Sequence, residues 1–131
     1  GMYDELEDVY VEEVVRLVNI ERVKHGLHEL RHNLELSKVA QIKVEDMGDN
    51  AYYDHISPTY GSPASMMRDF GFSFRTSGEN IAMGQFTPGQ VVAQWLESPG
   101  HRANILNPKY TDIGVGFTCG GAFWAQMFIG Q

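Results

Sequence analysis

The chain has 131 residues, a hydrophobic fraction of 43%, an aromatic fraction of 11% and a net charge of −7. These values fit one globular domain with a real core and exclude a disordered chain. With Lys+Arg only 10, the surface lacks the basic excess that nucleic acid or anionic lipid requires, and no apolar run nears the ~20 residues of a membrane-spanning helix.

The lone cysteine, Cys119, rules out an intrachain disulfide and a Cys-rich zinc site, and it leaves the compartment undecided. Residues 1–8 read as an N-terminal tail, and Gly1 before Met2 reads as the remnant of a tag. The start is acidic where a secretory signal would be basic and then apolar. An upstream export signal or further domain is left open. Residues 9–131 are expected to form one domain.

Residues 9–25 carry a helical stripe of Val11, Val14, Val15 and Val18, widened by Tyr10 and Leu17. Glu12, Glu13, Arg16 and Asn19 take the other face, and Gly26 stops the helix. Asn33 is placed to cap a helix over 34–47 with Leu36, Val39, Ala40, Val44 and Met47 inward. Residues 51–61 are a loop by their Pro, Gly, Ser and Asp content. The loop's Tyr52, Tyr53, Ile56 and Tyr60 are expected to pack. Ser62-Pro63 opens a short helix with Met67 and Phe70 inside, ending at Gly71.

Gly78–Gly84 reads as a short buried strand or turn. Thr87-Pro88 starts a helix with Val91, Val92, Trp95 and Leu96 on its apolar face. Ser98-Pro99 is a second cap-then-proline start, with Ile105 and Leu106 as anchors and Pro108 as the stop. His101 falls in the first turn of this helix, where the dipole disfavours imidazolium and keeps the ring neutral. Residues 112–118 and 122–129 alternate as strands, joined by a tight Cys119-Gly120-Gly121 connection. Helices first and a hairpin last predict an α+β fold with helices packed on an antiparallel sheet.

Several stretches together resemble the CAP superfamily (cysteine-rich secretory proteins, antigen 5 and pathogenesis-related 1; the SCP domain), in its compact bacterial branch without the cysteines. They are Leu17-Val18-Asn19-Ile20-Glu21-Arg22 with Leu27 and Leu30, Asp54-His55 with Ser57-Pro58, Gly78-Glu79-Asn80-Ile81-Ala82, Trp95 through Leu106, and Ile113-Gly114-Val115-Gly116. The resemblance spans roughly residues 14 to 129 in colinear order. It implies a three-layer α-β-α sandwich and a secreted or cell-surface location. It also implies a cleft with two histidines and two acidic residues. By motif, His55 and His101 take the histidine places and Glu79 one acidic place. Ser98 stands where many members carry the second Glu. Glu97 sits one residue earlier, about 100° round the helix, which is expected to turn it aside.

Two imidazoles and a carboxylate can bind a divalent cation such as zinc through His55, His101 and, less readily, Glu79, leaving a position for water. The same three can form a metal-free network in which Glu79 orients a histidine. Simpler roles are also open: His101 bonding a nearby carbonyl at its helix start, Glu79 capping backbone N–H groups, and His55 as a solvent-facing loop residue. Asn80 and Arg102 read as structural, and Tyr52, Tyr53, Tyr60 and Trp124 as core before groove lining. His25, His28 and His32 read as a solvated linker, and Cys119 as a small hairpin residue. No His-Glu-x-x-His, Gly-x-Ser-x-Gly or P-loop motif occurs.

The expected function is therefore a non-enzymatic extracellular or cell-surface domain whose His/Glu cleft binds a small-molecule, lipid or protein ligand or a divalent cation. The lipid alternative rests on the sterol and lipid binding of eukaryotic relatives. One rival is a hydrolase, peptidase or cell-wall enzyme, with His101 or Glu79 activating water. Another is a structural module of a spore or envelope layer.

Overall fold

In the computed structural model, which describes residues 2–120 and 122–131, the first valine stripe becomes α1 (Met2–Lys24). Val11, Val14, Val15 and Val18 are all buried. The helix starts at Met2, so residues 2–8 extend it instead of forming the expected tail; Gly1, the presumed tag remnant, lies outside the described residues. Asn19, expected on the solvent face, is buried and exchanges two hydrogen bonds with the Leu30 backbone, at 2.8 and 3.0 Å. Those bonds fix the chain just before β1 (Arg31–His32).

Asn33 caps α2 (Leu34–Asp49) through a bond from Leu36 N. Ser62 caps α3 (Pro63–Asp69), which buries Met66 and Met67. Phe70, expected inside, is instead 42% exposed because the helix ends before it. The glycine-bracketed segment is a full strand, β2 (Thr76–Met83). Then follow α4 (Pro88–Glu97), α5 (Pro99–Ile105), β3 (Asp112–Thr118) and β4 (Phe123–Gly130). Gly121 of the expected tight turn lies outside the described residues.

The sheet order is β1-β3-β4-β2. β4 pairs antiparallel with both β3 and β2, and the short β1 pairs parallel with β3. One face packs α1, α4 and α5 against Ile113, Val115, Phe117, Trp124 and Phe128. The other packs α2 and α3 against Ile81, Ala125, Met127 and Ile129. Each fully buried side chain of this size contributes roughly 1.5–3 kcal/mol. Both faces of β4 are buried, so burial runs unbroken from Trp124 to Gly130, Gln126 included, where simple alternation was expected. The result is the three-layer α-β-α sandwich. Gly114 and Gly116 let α2 press close: a Cβ at either position would collide with the backbone of Leu36–Ser37 or Ala40–Gln41. β2 is left as the sheet edge beside α5 and the loop after α2.

Candidate functional site

The tripeptide Gly78-Glu79-Asn80 lies in edge strand β2, and strand alternation sends Glu79 and Asn80 to opposite faces. Asn80 is fully buried. Its Nδ2 donates to His101 O at 3.1 Å and to Gln126 Oε1 at 3.0 Å. Asn104 Nδ2 in turn donates to Asn80 Oδ1 at 2.8 Å and to Glu79 O at 3.2 Å. These bonds latch α5, and with it His101, to the strand. Gly78 is required because a Cβ there would strike the Tyr110 hydroxyl, which donates to Asn104 Oδ1.

On the other face, Glu79 meets the loop between α2 and α3. Its side chain is 1% exposed, and Oε1 lies 2.8 Å from His55 Nδ1; the His55 ring is 49% exposed. Glu79 Oε2 is buried with no hydrogen-bond partner among the described residues. Burial pushes the Glu79 carboxyl above its usual range, against the hydrogen bond to His55 and the charge of Lys43. The hydrogen bond to Glu79 holds the His55 imidazole above its usual value, against burial.

Lys43 and Asp46 complete this side, and neither was singled out from the sequence. Lys43 is 1% exposed and donates through Nζ to His55 O at 2.6 Å, with Nζ 5.4 Å from the centroid of the Tyr52 ring. Burial lowers its pKa. Asp46 accepts from the Tyr52 hydroxyl, Ser57 Oγ, Asn50 Nδ2 and Thr59 Oγ1. Burial works against its charge, but these four bonds outweigh it and hold the carboxyl below its ordinary value. The Asp46 hub ties down the loop that carries His55. A signal was present: Lys43 lies seven residues after Leu36 and four before Met47, so the 3.6 period places it inward.

His101 lies beside a cavity of about 460 Å³, with Tyr53, Trp95, Glu97 and Ser98 also in its wall. Burial, and then the charge of His55, lower its pKa. Ser98 occupies the N-cap position of α5, but its side chain makes no capping bond. Glu97 also lines the cavity despite its offset position. The structure joins His55 to Glu79 directly and sets His101 with Ser98 in the wall of the neighbouring cavity, near enough to His55 to feel its charge. Among the described residues no group of three His, Cys, Asp or Glu side chains is placed to hold a metal ion. The His55–Glu79 hydrogen bond engages Nδ1 and leaves Nε2 as the ring nitrogen open to a ligand.

Tyr53 and Ile56, expected to pack, are 47% and 56% exposed, whereas Tyr52 and Tyr60 join the core on the α2 side. The linker histidines are bonded and not merely solvated. His25 Nδ1 donates to Glu21 O, which leaves Nε2 to accept from Arg102 Nη2 at 3.1 Å. His28 Nε2 meets Tyr110 O, and His32 Nε2 meets Ser37 Oγ.

The family model of CAP, described as the cysteine-rich secretory protein family, matches residues 15–130. The uncharacterized protein YkwD of Bacillus subtilis (strain 168) is 55% identical over 122 residues, covering 93% of this chain and 48% of that protein. An extracellular protein containing a SCP domain from Bacillus anthracis superposes with a TM-score of 0.94 at 33% identity, covering 98% of this chain and 43% of the other. A cysteine-rich secretory protein from Staphylococcus aureus superposes with a TM-score of 0.83 at 16% identity, over 95% of this chain and 39% of its own, a likeness of fold alone. The chain thus spans about half the length of YkwD and of the Bacillus anthracis protein.

Proposed function

Because the chain belongs to the CAP family of cysteine-rich secretory proteins, we propose that it is an extracellular or cell-surface domain that binds a ligand at the His55–Glu79–His101 cleft without catalysing a reaction. The Bacillus anthracis relative is described as extracellular, and that location is carried over to this domain as part of the proposal. One observation carries the binding role: Glu79, 1% exposed, fixes His55 through Nδ1 and directs the half-exposed ring to the surface. The ring nitrogen left for a ligand is Nε2. A buried carboxylate with an unpaired oxygen is costly, at about 1–3 kcal/mol or more, and such a cost suits a site kept for function better than one kept for stability.

The cleft reads best as the metal-free network. Zinc remains a ligand to test at His55 Nε2, the ring nitrogen that Glu79 does not engage. The hydrolase alternative has His101 or Glu79 activating a water, and Ser98, whose hydroxyl makes no capping bond, lies in the same cavity wall as His101.

Turnover on a broad panel of ester, peptide and glycan substrates tests the proposal. No turnover is expected. Turnover abolished by Glu79→Gln in a folded domain would replace it with the hydrolase. Isothermal titration with zinc is the companion measurement. Heat lost in a His55→Ala/His101→Ala variant makes a cation the ligand, and an unchanged affinity removes the cleft from any metal account.

A further inference from the structure

The cavity beside His101 does not end at the histidine. It opens into a second hollow of about 430 Å³, and the two share Met83, Gln85 and Gln94 as walls. Phe86 and Gln90, at the start of α4, close the far end. Large side chains stand exposed along this line: Tyr53 at 47%, Met83 at 49% and Phe86 at 69%. Between them lie three glutamine amides. Gln85 Nε2 donates to Gln94 Oε1, and Gln90 Oε1 accepts from Phe86 N at 3.1 Å. Gln85 Oε1 is buried without a donor among the described residues. A ligand hydroxyl that drew this amide outward would satisfy it.

The lining selects the ligand class by charge and by backbone. No Lys or Arg lines either hollow, and the one carboxylate is Glu97, so nothing there would neutralise a phosphate, sulfate or carboxylate. An extended peptide adding to the sheet would need the outward carbonyls of β2. The two central ones are taken: Glu79 O accepts from Asn104 Nδ2, and Ile81 O accepts from the Tyr53 hydroxyl and Trp95 Nε1. What remains is a row of planar amides between exposed apolar faces. It matches an uncharged ligand that offers hydroxyl donors and acceptors together with C–H faces.

We propose that the groove from His101 to Phe86 binds an uncharged pyranose oligosaccharide, with Tyr53 and Phe86 against sugar faces and Gln85, Gln90 and Gln94 on hydroxyls. The proposal deepens the cleft reading and rests on it only at the His101 end. The test is titration of the ¹⁵N-labelled domain with cellotetraose, maltotetraose and the N-acetylglucosamine tetramer, followed by NMR. At least one sugar is expected to give saturable shifts at Met83, Gln85, Phe86 and Gln94. Phe86→Ala and Gln94→Ala, both at surface positions, should each weaken binding by roughly tenfold, with folding checked by circular dichroism. Absence of saturable shifts with all three sugars overturns the proposal and leaves the turnover and zinc tests of the cleft unaffected. Shifts confined to His55 and Glu79 also overturn it, while keeping the cleft. A capped, uncharged tetrapeptide that moves the same groove residues at lower concentration overturns the saccharide assignment.

Discussion

Gly78→Ala tests how the strand motif holds α5 in place. A Cβ at this position would collide with the Tyr110 hydroxyl and lie 3.0 Å from Asn104 Oδ1 and 3.1 Å from Tyr110 Cζ. Tyr110 cannot swing aside: it is 3% exposed and stacked on Phe128 with ring centroids 5.1 Å apart. In an open strand, replacing glycine by alanine would stabilise by about 0.5–1 kcal/mol. Here overpacking costs about 1–3 kcal/mol, and loss of the Tyr110–Asn104 bond costs about 1 kcal/mol more. The expected net loss is about 2 kcal/mol, which for a chain of this length lowers Tm by roughly 6–10 °C. Urea and thermal denaturation followed by circular dichroism measure it. Tyr110→Phe removes the colliding oxygen, so the double variant should be more stable than the sum of the single losses by about 1 kcal/mol. A Gly78→Ala domain as stable as its parent, or strictly additive losses, would refute the reasoning.

Arg22→Met should cost at least about 3 kcal/mol in urea denaturation, because it strips donors from the buried carbonyls of Ile105 and Asn107 and from His28 O. Hydrogen exchange in α5 should rise with it. Lys43→Met removes the charge that opposes the raised Glu79 pKa, so the Glu79 carboxyl should titrate higher still by ¹³C NMR; an unchanged or lower value contradicts this. Asp46 has a folded pKa below its ordinary 3.8, so its stabilisation is present above that value and is lost as pH falls through the folded one. Asp46→Asn should flatten the acid limb of the Tm–pH curve. His55 is shifted the opposite way, above 6.5, so its contribution is full below that value and fades as pH rises through the folded pKa. A His55→Asn domain should therefore lose less stability than the parent as pH rises above 6.5, read from the two Tm curves.

Where a stretch had one clear period or one clear cap, its structure was legible in the sequence. The valine stripe of α1, the Asn33 and Ser62 caps and the β3–β4 pair depend on neighbours within a few residues. The site was legible as residue types: the resemblance pointed to His55, Glu79 and His101, and the first two are in contact. It was not legible as chemistry. Lys43 and Asp46 sit on the inward stripe of α2, yet their polarity argued for solvent until the Tyr52–Thr59 loop folded over them and supplied partners. Ser98 and Asn19 show the same gap from either side: one is a cap without its capping bond, and the other, expected at the surface, makes a buried bond to Leu30.

The sequence by itself determined the helices, the hairpin, the acidic character and the family. Only the tertiary structure decided that Glu79 is buried, that its hydrogen-bond partner is His55, and that His101 stands in a cavity wall with Ser98 and Glu97. Local periodicity reports which face of an element turns inward. The state of a charged group depends on which atoms, distant in the chain, replace its water, and no local pattern encodes that.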